Sequence, residues 1–226
     1  MAEVASITID EARALVANLA LWPRVRDFLW DFAPSIHESW IDSQTSKLPG
    51  REAPNLHTSW RIKKFILDSL GVEPCFHTFP RDDGSRLLLL DGATLESIAK
   101  WLGALACAEE LRRVTDGATV RALKAALPGV YPGVFGYTEY FRKLKVEKLK
   151  VEKLTPQTIV ETGVQCLSSI VAHLPQPLLR RLSLKLPRNL ELSTSNFQLP
   201  TFNFQLSNLQ LLLKLRFPEA YKICCS

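Results

Sequence analysis

His37 and Ser39 are the residues of this chain whose types and spacing come closest to catalytic machinery. A catalytic histidine needs a nucleophile within hydrogen-bond reach and a carboxylate that orients its ring. Ser39 and Glu38 are its neighbours only in sequence, where they suit a helix N-cap and a first-turn acid. We therefore favour a structural histidine, bonded to a backbone carbonyl, over a general base.

The four histidines and five cysteines lack the spacing of a metal site. No histidines lie one helical turn apart and no Cys-x-x-Cys pair occurs, so we expect no metal, no redox dithiol and no cofactor. Cys107 and Cys166 stand among apolar residues and are interpreted as small core side chains. For Cys224 and Cys225 a lipid anchor and a redox role both stay open.

Two arginine pairs are the best candidates for contacts with a partner: Arg112 with Arg113, and Arg180 with Arg181. An arginine guanidinium can bind a carboxylate through two parallel hydrogen bonds. The alternative for the first pair is a solvated helix face with ion pairs to neighbouring glutamates, each worth a few tenths of a kcal/mol. The second pair has few acids nearby, which favours a binding role. We retain all four arginines as candidate partner-binding residues.

The charge is unevenly distributed along the chain. Residues 1–140 carry 15 Lys+Arg against 18 Asp+Glu, whereas residues 141–226 carry 13 against 5. A net charge of +8 in the second part is compatible with nucleic acid, an anionic membrane surface or an acidic protein partner. The lysine run at 143–153 is interrupted by Glu147 and Glu152 and has no interleaved aromatic residues for base stacking. We therefore expect no nucleic acid, and keep a nucleic-acid or anionic-lipid binding protein as the alternative function.

The elements that must position these residues are mostly helices. The tetrad Asp-Gly-Ala-Thr begins at Asp91 and again at Asp116, and apolar residues follow each tetrad at three- and four-residue steps. Each Asp is interpreted as an N-cap and each stripe as a buried helix face. Five tryptophans also occupy helix-face positions and are interpreted as core anchors. They are Trp22, Trp30, Trp40, Trp60 and Trp101.

The predicted fold class is mostly α, with a minor β-hairpin around residues 75–90 and an extended C-terminal arm at 191–206. The predicted regions are an N-terminal helical region with the hairpin (1–140), a charged connection that duplicates Lys-Val-Glu-Lys-Leu (141–154) and a basic helical region (155–226). The pattern leaves open whether the two halves pack as one domain. No transmembrane segment is expected, and the N-terminus is not typical of a secretory signal. We therefore expect a cytoplasmic protein.

Segments along most of the chain resemble the K-type cytosolic accessory subunit of type III secretion systems, a family that includes Yop translocation protein K and rhizobial NolU. The similar segments are Phe-Ala-Pro-Ser-Ile-His-Glu-Ser-Trp-Ile (32–41), Leu-Gly (102–103), Leu-Arg-Arg-Val (111–114), Arg-Arg-Leu-Ser-Leu-Lys-Leu-Pro (180–187) and Leu-Arg-Phe-Pro-Glu-Ala-Tyr (215–221). His37, Ser39, Trp40, Phe217 and Pro218 are interpreted as its structural signature, and His37 and Trp40 are expected to hold the N-terminal fold.

The resemblance implies a non-enzymatic component of the sorting platform beneath the injectisome. Such a subunit bridges the forkhead-associated-like cytoplasmic domain of the inner-membrane ring protein to the C-ring-like pod subunit, and through it indirectly to the secretion ATPase complex. The implied location is the cytoplasm, peripherally at the inner-membrane face of the apparatus. Which face meets which partner is not contained in the motifs.

Overall fold

A computed structural model describes residues 9–45, 60–72, 84–141, 154–190 and 206–225. The α-helices of these ranges are α1 (Ile9–Trp30), α2 (Glu38–Thr45), α3 (Trp60–Ser69), α4 (Gly92–Ala106), α5 (Ala108–Arg113), α6 (Gly117–Ala126), α7 (Pro156–Val171), α8 (Gln176–Lys185), α9 (Leu206–Arg216) and α10 (Pro218–Cys225). Short 3-10 helices lie at Ala33–Ser35, Ser85–Leu89, Gly133–Gly136 and Arg188–Leu190. The described ranges contain no β-strand, so the mostly α fold class is confirmed.

Helices α4 and α7 form the centre of the core and approach each other at backbone distance. A Cβ atom added to Gly103 of α4 would lie 1.8 Å from the carbonyl oxygen of Ile159, and one added to Gly163 of α7 would lie 1.8 Å from that of Ala99. Only glycine leaves room for this approach, because it has no side chain between the two backbones. The apolar stripe of α4 is consequently almost fully buried against α7.

The repeated tetrad caps two helices, as its pattern predicts. Asp91 accepts a hydrogen bond from the backbone N–H of Thr94 at 2.7 Å, and Asp116 accepts one from that of Thr119 at 2.7 Å. Burial raises the pKa of Asp91, but the bonds from the Thr94 N–H and hydroxyl outweigh it, and the pKa is lowered below its usual value. The apolar residues that follow the tetrads include Leu95 and Leu123, both fully buried.

The predicted β-hairpin is wrong in the part that the structure describes, and residues 73–83 lie outside that part. Ser85–Leu89 is a 3-10 helix whose leucines are all buried. A continuous apolar run has no alternation that would distinguish a strand from a buried helical turn. The carbonyls of Leu88 and Leu90 are bonded by the Lys185 ammonium, so they need no partner strand. The predicted extended arm lies largely at residues 191–205, outside the described residues.

Candidate partner-binding site

Arg181 lies in the interior of the protein, with only 3% of its surface exposed. Its Nη1 donates hydrogen bonds to the carbonyl oxygens of Phe28 and Leu29, the second at 3.0 Å. These carbonyls belong to the last turn of α1, where helix carbonyls lack intrahelical partners and the helix dipole favours a cation. The guanidinium also lies over the rings of Phe28 and Phe32, 5.7 and 5.2 Å from their centroids. Arg181 therefore caps the C-terminus of α1.

Arg180 makes the equivalent contact with a different helix. Its Nε and Nη2 donate to the carbonyl oxygen of Leu70, at 3.3 and 3.2 Å, directly after α3 ends. Its guanidinium lies 5.3 Å from the ring centroid of Trp40. The two consecutive arginines of α8 thus reach the C-terminal ends of two helices that are more than 100 residues away in sequence.

Lys185 is the third cation of α8 that bonds backbone carbonyls, and it joins α8 to the segment directly before α4. Its Nζ donates to the carbonyl oxygens of Leu88 at 2.6 Å and Leu90 at 2.8 Å. Burial lowers the pKa of Lys185 to about 8; Asp91 opposes this shift and Arg24 adds to it. No sequence pattern singles out Lys185, because a lysine at the end of a predicted helix is typical of a solvated last turn.

A partner contact of Arg180 and Arg181 stays a prediction; in the structure Arg181 is buried and its guanidinium bonds the carbonyls that end α1. Arg180 is half-buried and is tied to Leu70. Part of the positive charge of the second half of the chain is thus placed on backbone carbonyls at helix ends.

His37 contacts Ser39 and α8, and Ser39 contacts the 3-10 helix that follows α8. The backbone N–H of Ser39 donates to His37 Nδ1 at 3.2 Å, and α2 begins at Glu38. The N-cap position of α2 is thus occupied by His37, and not by Ser39 as predicted. The His37 ring nitrogen accepts a hydrogen bond from a backbone N–H of the first turn of this helix. The Ser39 hydroxyl accepts from the Arg188 N–H at 3.0 Å, and the His37 N–H donates to the Leu184 carbonyl at 2.8 Å.

Trp40 and Phe217–Pro218, the other signature residues, lie at junctions between elements. Trp40 is buried and its Nε1 donates to the carbonyl oxygen of Leu186 at 2.9 Å. Pro218 opens α10, where a missing N–H has no helical partner to lose. Phe217 is half-buried against the core, and its N–H donates to the Leu213 carbonyl at 2.8 Å. A structural role for these residues stays a prediction, and their contacts between elements are compatible with it.

Arg112 and Arg113 remain exposed at the end of α5. Arg112 donates to the Thr138 hydroxyl and lies 5.8 Å from the ring centroid of Phe135. Among the described residues neither arginine forms a salt bridge, so the predicted local ion pairs to Glu109 and Glu110 do not occur there. A contact of this pair with a partner stays a prediction that the exposure permits.

Arg216, from the end of α9, joins Arg112 beside the same turn. Its guanidinium lies 4.4 Å from the ring centroid of Trp101, and its Nη1 donates to the Tyr137 hydroxyl at 3.3 Å. No sequence signal links Arg216 to Arg112, because the two are 104 positions apart. Only the fold places them together, where Arg112 bonds Thr138 and Arg216 bonds the neighbouring Tyr137.

The interpretation of all five tryptophans as core anchors is wrong for three of them. Trp40 and Trp101 are buried, whereas Trp22, Trp30 and Trp60 are 51%, 58% and 69% exposed. Trp30 and Trp60 line a cleft of about 510 Å³ between α1 and α3. Helical periodicity identifies the apolar face of a helix but does not say whether another element covers it.

These features define a helical protein in which the buried cations Arg181 and Lys185 bind backbone carbonyls of the same chain. Its surface carries exposed arginine and tryptophan side chains. Among the described residues, no group of three or more His, Cys, Asp or Glu side chains could hold a metal ion. Over the same ranges, no helix has the length and apolar character needed to cross a membrane. Exposed arginine and tryptophan are the residue types enriched in protein–protein interfaces.

Residues 26–131 match the family model of YscK, YOP proteins translocation protein K. The matched segment is slightly less than half of the 226 residues, and the match confirms the predicted resemblance to this family. The family gives the protein a role in type III secretion, as a structural or accessory component that associates with the secretion apparatus. No curated protein and no solved structure matches the chain.

Proposed function

We propose that this protein is a non-enzymatic adaptor of the type III secretion sorting platform. In this role it links the cytoplasmic domain of the inner-membrane ring protein to the C-ring-like pod subunit, and so connects the ring indirectly to the secretion ATPase complex. It acts in the cytoplasm, peripherally at the inner-membrane face of the apparatus. The observation that carries the proposal is the YscK-family segment at residues 26–131.

Two properties of the fold support an adaptor. The α4–α7 contact and the α8 cations join helices from both ends of the chain. A body tied together in this way transmits a fixed distance and orientation between two partners. Exposed Arg112 and Arg113 supply guanidinium groups that can bind carboxylates on one partner.

The test measures binding of the purified protein to each purified partner from the same genome by isothermal titration calorimetry. We expect both partners to bind the wild type and one to bind at least about tenfold more weakly to the double variant Arg112→Glu, Arg113→Glu. Arg121→Glu, an exposed charge reversal on α6, is the matched control and should bind like the wild type. Wild-type protein that binds neither partner would refute the adaptor function.

Anionic-lipid or nucleic-acid binding through residues 141–226 is the alternative. Arg181 and Lys185 weigh against it, because both are buried on backbone carbonyls and leave fewer cations for phosphate groups. A steep linear fall of the logarithm of DNA or vesicle affinity with the logarithm of salt concentration would favour this alternative.

A further inference from the structure

Exposed apolar side chains concentrate on two helices, α1 and α3. Among the described residues seven large apolar side chains are exposed, and five of them lie on α1 and α3: Leu19, Trp22, Trp30, Trp60 and Phe65. On α1, Leu19, Trp22 and Trp30 fall within about 80° of the helix circumference, at 100° per residue. Contiguous exposed apolar residues on a monomer mark an interaction site, and tryptophan is the residue type most enriched in binding hot spots.

The surface between α1 and α3 is concave. Trp30 and Trp60 stand at the two sides of the cleft, whose floor is formed by apolar residues that include Leu29, Phe32 and Val72. A groove between two helices accepts the apolar side chains that project from one face of a partner helix at positions i, i+3, i+4 and i+7. A flat bilayer surface would not fill it. The concavity therefore favours a helix of a protein over a membrane.

The charges around the cleft favour an acidic partner. Asp27 of α1 and Asp31, directly after α1, are paired within the chain: Asp27 with Arg26 and Asp31 with Lys63, each at 2.8 Å. The exposed cations Arg61 and Lys64 form no such pair among the described residues, and Asp68 is the acid that faces them on α3. The charge left over is positive, and carboxylates beside the apolar stripe of a partner helix would complement it.

We propose that the α1–α3 face, defined by Trp22, Trp30 and Trp60 around the cleft, docks an acidic amphipathic helix of a protein partner. The proposal rests on the adaptor function, because that helix belongs to one of the two secretion partners named above. Of the four arginines that the sequence predicts as binding residues, Arg181, which is 3% exposed, is the one that lines the cleft.

The test uses the full chain, the two purified secretion partners and the variants Trp60→Ala and Lys64→Glu. Both side chains are exposed, so the variants should unfold at the wild-type temperature. We expect one partner to bind Trp60→Ala at least about 30-fold more weakly, since an interface tryptophan of this kind is typical of a hot spot. Lys64→Glu should slow the association of the same partner, whereas Lys124→Glu on α6, an exposed reversal outside this face, should not.

Four outcomes would contradict the proposal. If both partners bind wild type and Trp60→Ala equally well, the docking face is wrong and the adaptor function stands. If the wild type binds neither partner, the adaptor function fails first and the docking face fails with it. Co-sedimentation with phosphatidylglycerol vesicles that Trp60→Ala abolishes would assign the face to a membrane. A wild-type dimer that becomes a monomer in Trp60→Ala would assign it to a second copy.

Discussion

The close approach of α4 and α7 predicts that Gly103→Ala destabilises the protein. A methyl group at Gly103 would lie 1.8 Å from the Ile159 carbonyl oxygen and 2.8 Å from its carbon, where ordinary contacts begin at 3.4 Å. Both of these atoms are backbone, so no side-chain rotation relieves the clash, and the helices must part by roughly 1.5 Å.

The magnitude follows from what that separation removes. A radial gap of about 0.5–1 Å already forfeits a quarter to a half of the dispersion energy between packed atoms. Overpacking of a core by a side chain typically costs about 1–3 kcal/mol, and a clash between two backbones belongs at or above the upper end. Alanine recovers about 1 kcal/mol through its better helix propensity. We expect a net loss of about 2 kcal/mol or more in the free energy of unfolding, or a melting temperature lower by roughly 4–8 °C or more.

The assay is thermal and urea unfolding of the purified chain, followed by far-ultraviolet circular dichroism. Gly136→Ala is the control, because a Cβ there has no atom within 4 Å, and we expect its free energy of unfolding to stay within about 0.5 kcal/mol of wild type. Gly163→Ala should behave like Gly103→Ala, and the double variant should lose less than the sum of the two, since the helices have already parted. Equal melting temperatures for Gly103→Ala and Gly136→Ala would refute the backbone contact.

Four further predictions concern the polar groups around α8 and α4, each checked by urea unfolding. Arg181→Ala should lose about 3 kcal/mol or more, because two buried carbonyls lose their donor; a loss below 1 kcal/mol would contradict the helix-capping role. The pKa of Lys185, about 8, lies below its ordinary value of 10.5, so the unfolded chain holds more protons between these pH values and stability rises with pH there. Relative to Lys185→Met, the wild type should gain on the order of 3 kcal/mol from pH 7 to 10.5, and a constant difference would show that the pKa is not lowered. Asp91→Ala should lose about 1 kcal/mol through its N-cap, and Asp91→Asn, which keeps the acceptor, should lose less. Trp40→Phe should lose about 1–3 kcal/mol, because the Leu186 carbonyl loses its partner; wild-type stability would mean that this bond is dispensable.

The helices of this fold could be predicted from the sequence because their information is local. Asp91 and Asp116 carry their caps within three residues, and Thr155 with Pro156 starts α7 in the same way. The apolar steps after each cap then define a buried face. Where the local pattern is ambiguous, as in the uninterrupted leucines of Ser85–Leu89, the predicted strand was wrong.

The family could also be predicted, because short segments in a fixed order are a property of the sequence alone, and the match over residues 26–131 confirms it. Which individual side chains become buried or exposed could not be predicted from the sequence. Arg181 and Phe28 are 153 residues apart, and no periodicity tells that the arginine ends on the carbonyl of that phenylalanine. Trp60 and Trp40 have similar surroundings in sequence, yet one is exposed and the other buried.

The sequence by itself determined which segments become helices, where their caps lie and which secretion family the central segment resembles, because these depend on neighbours a few residues away. Only the tertiary structure decided which cations stay at the surface, which tryptophans are left uncovered, and that Gly103 and Gly163 meet. Those outcomes depend on which elements pack together, and the free energy of that packing is shared by residues far apart in the chain.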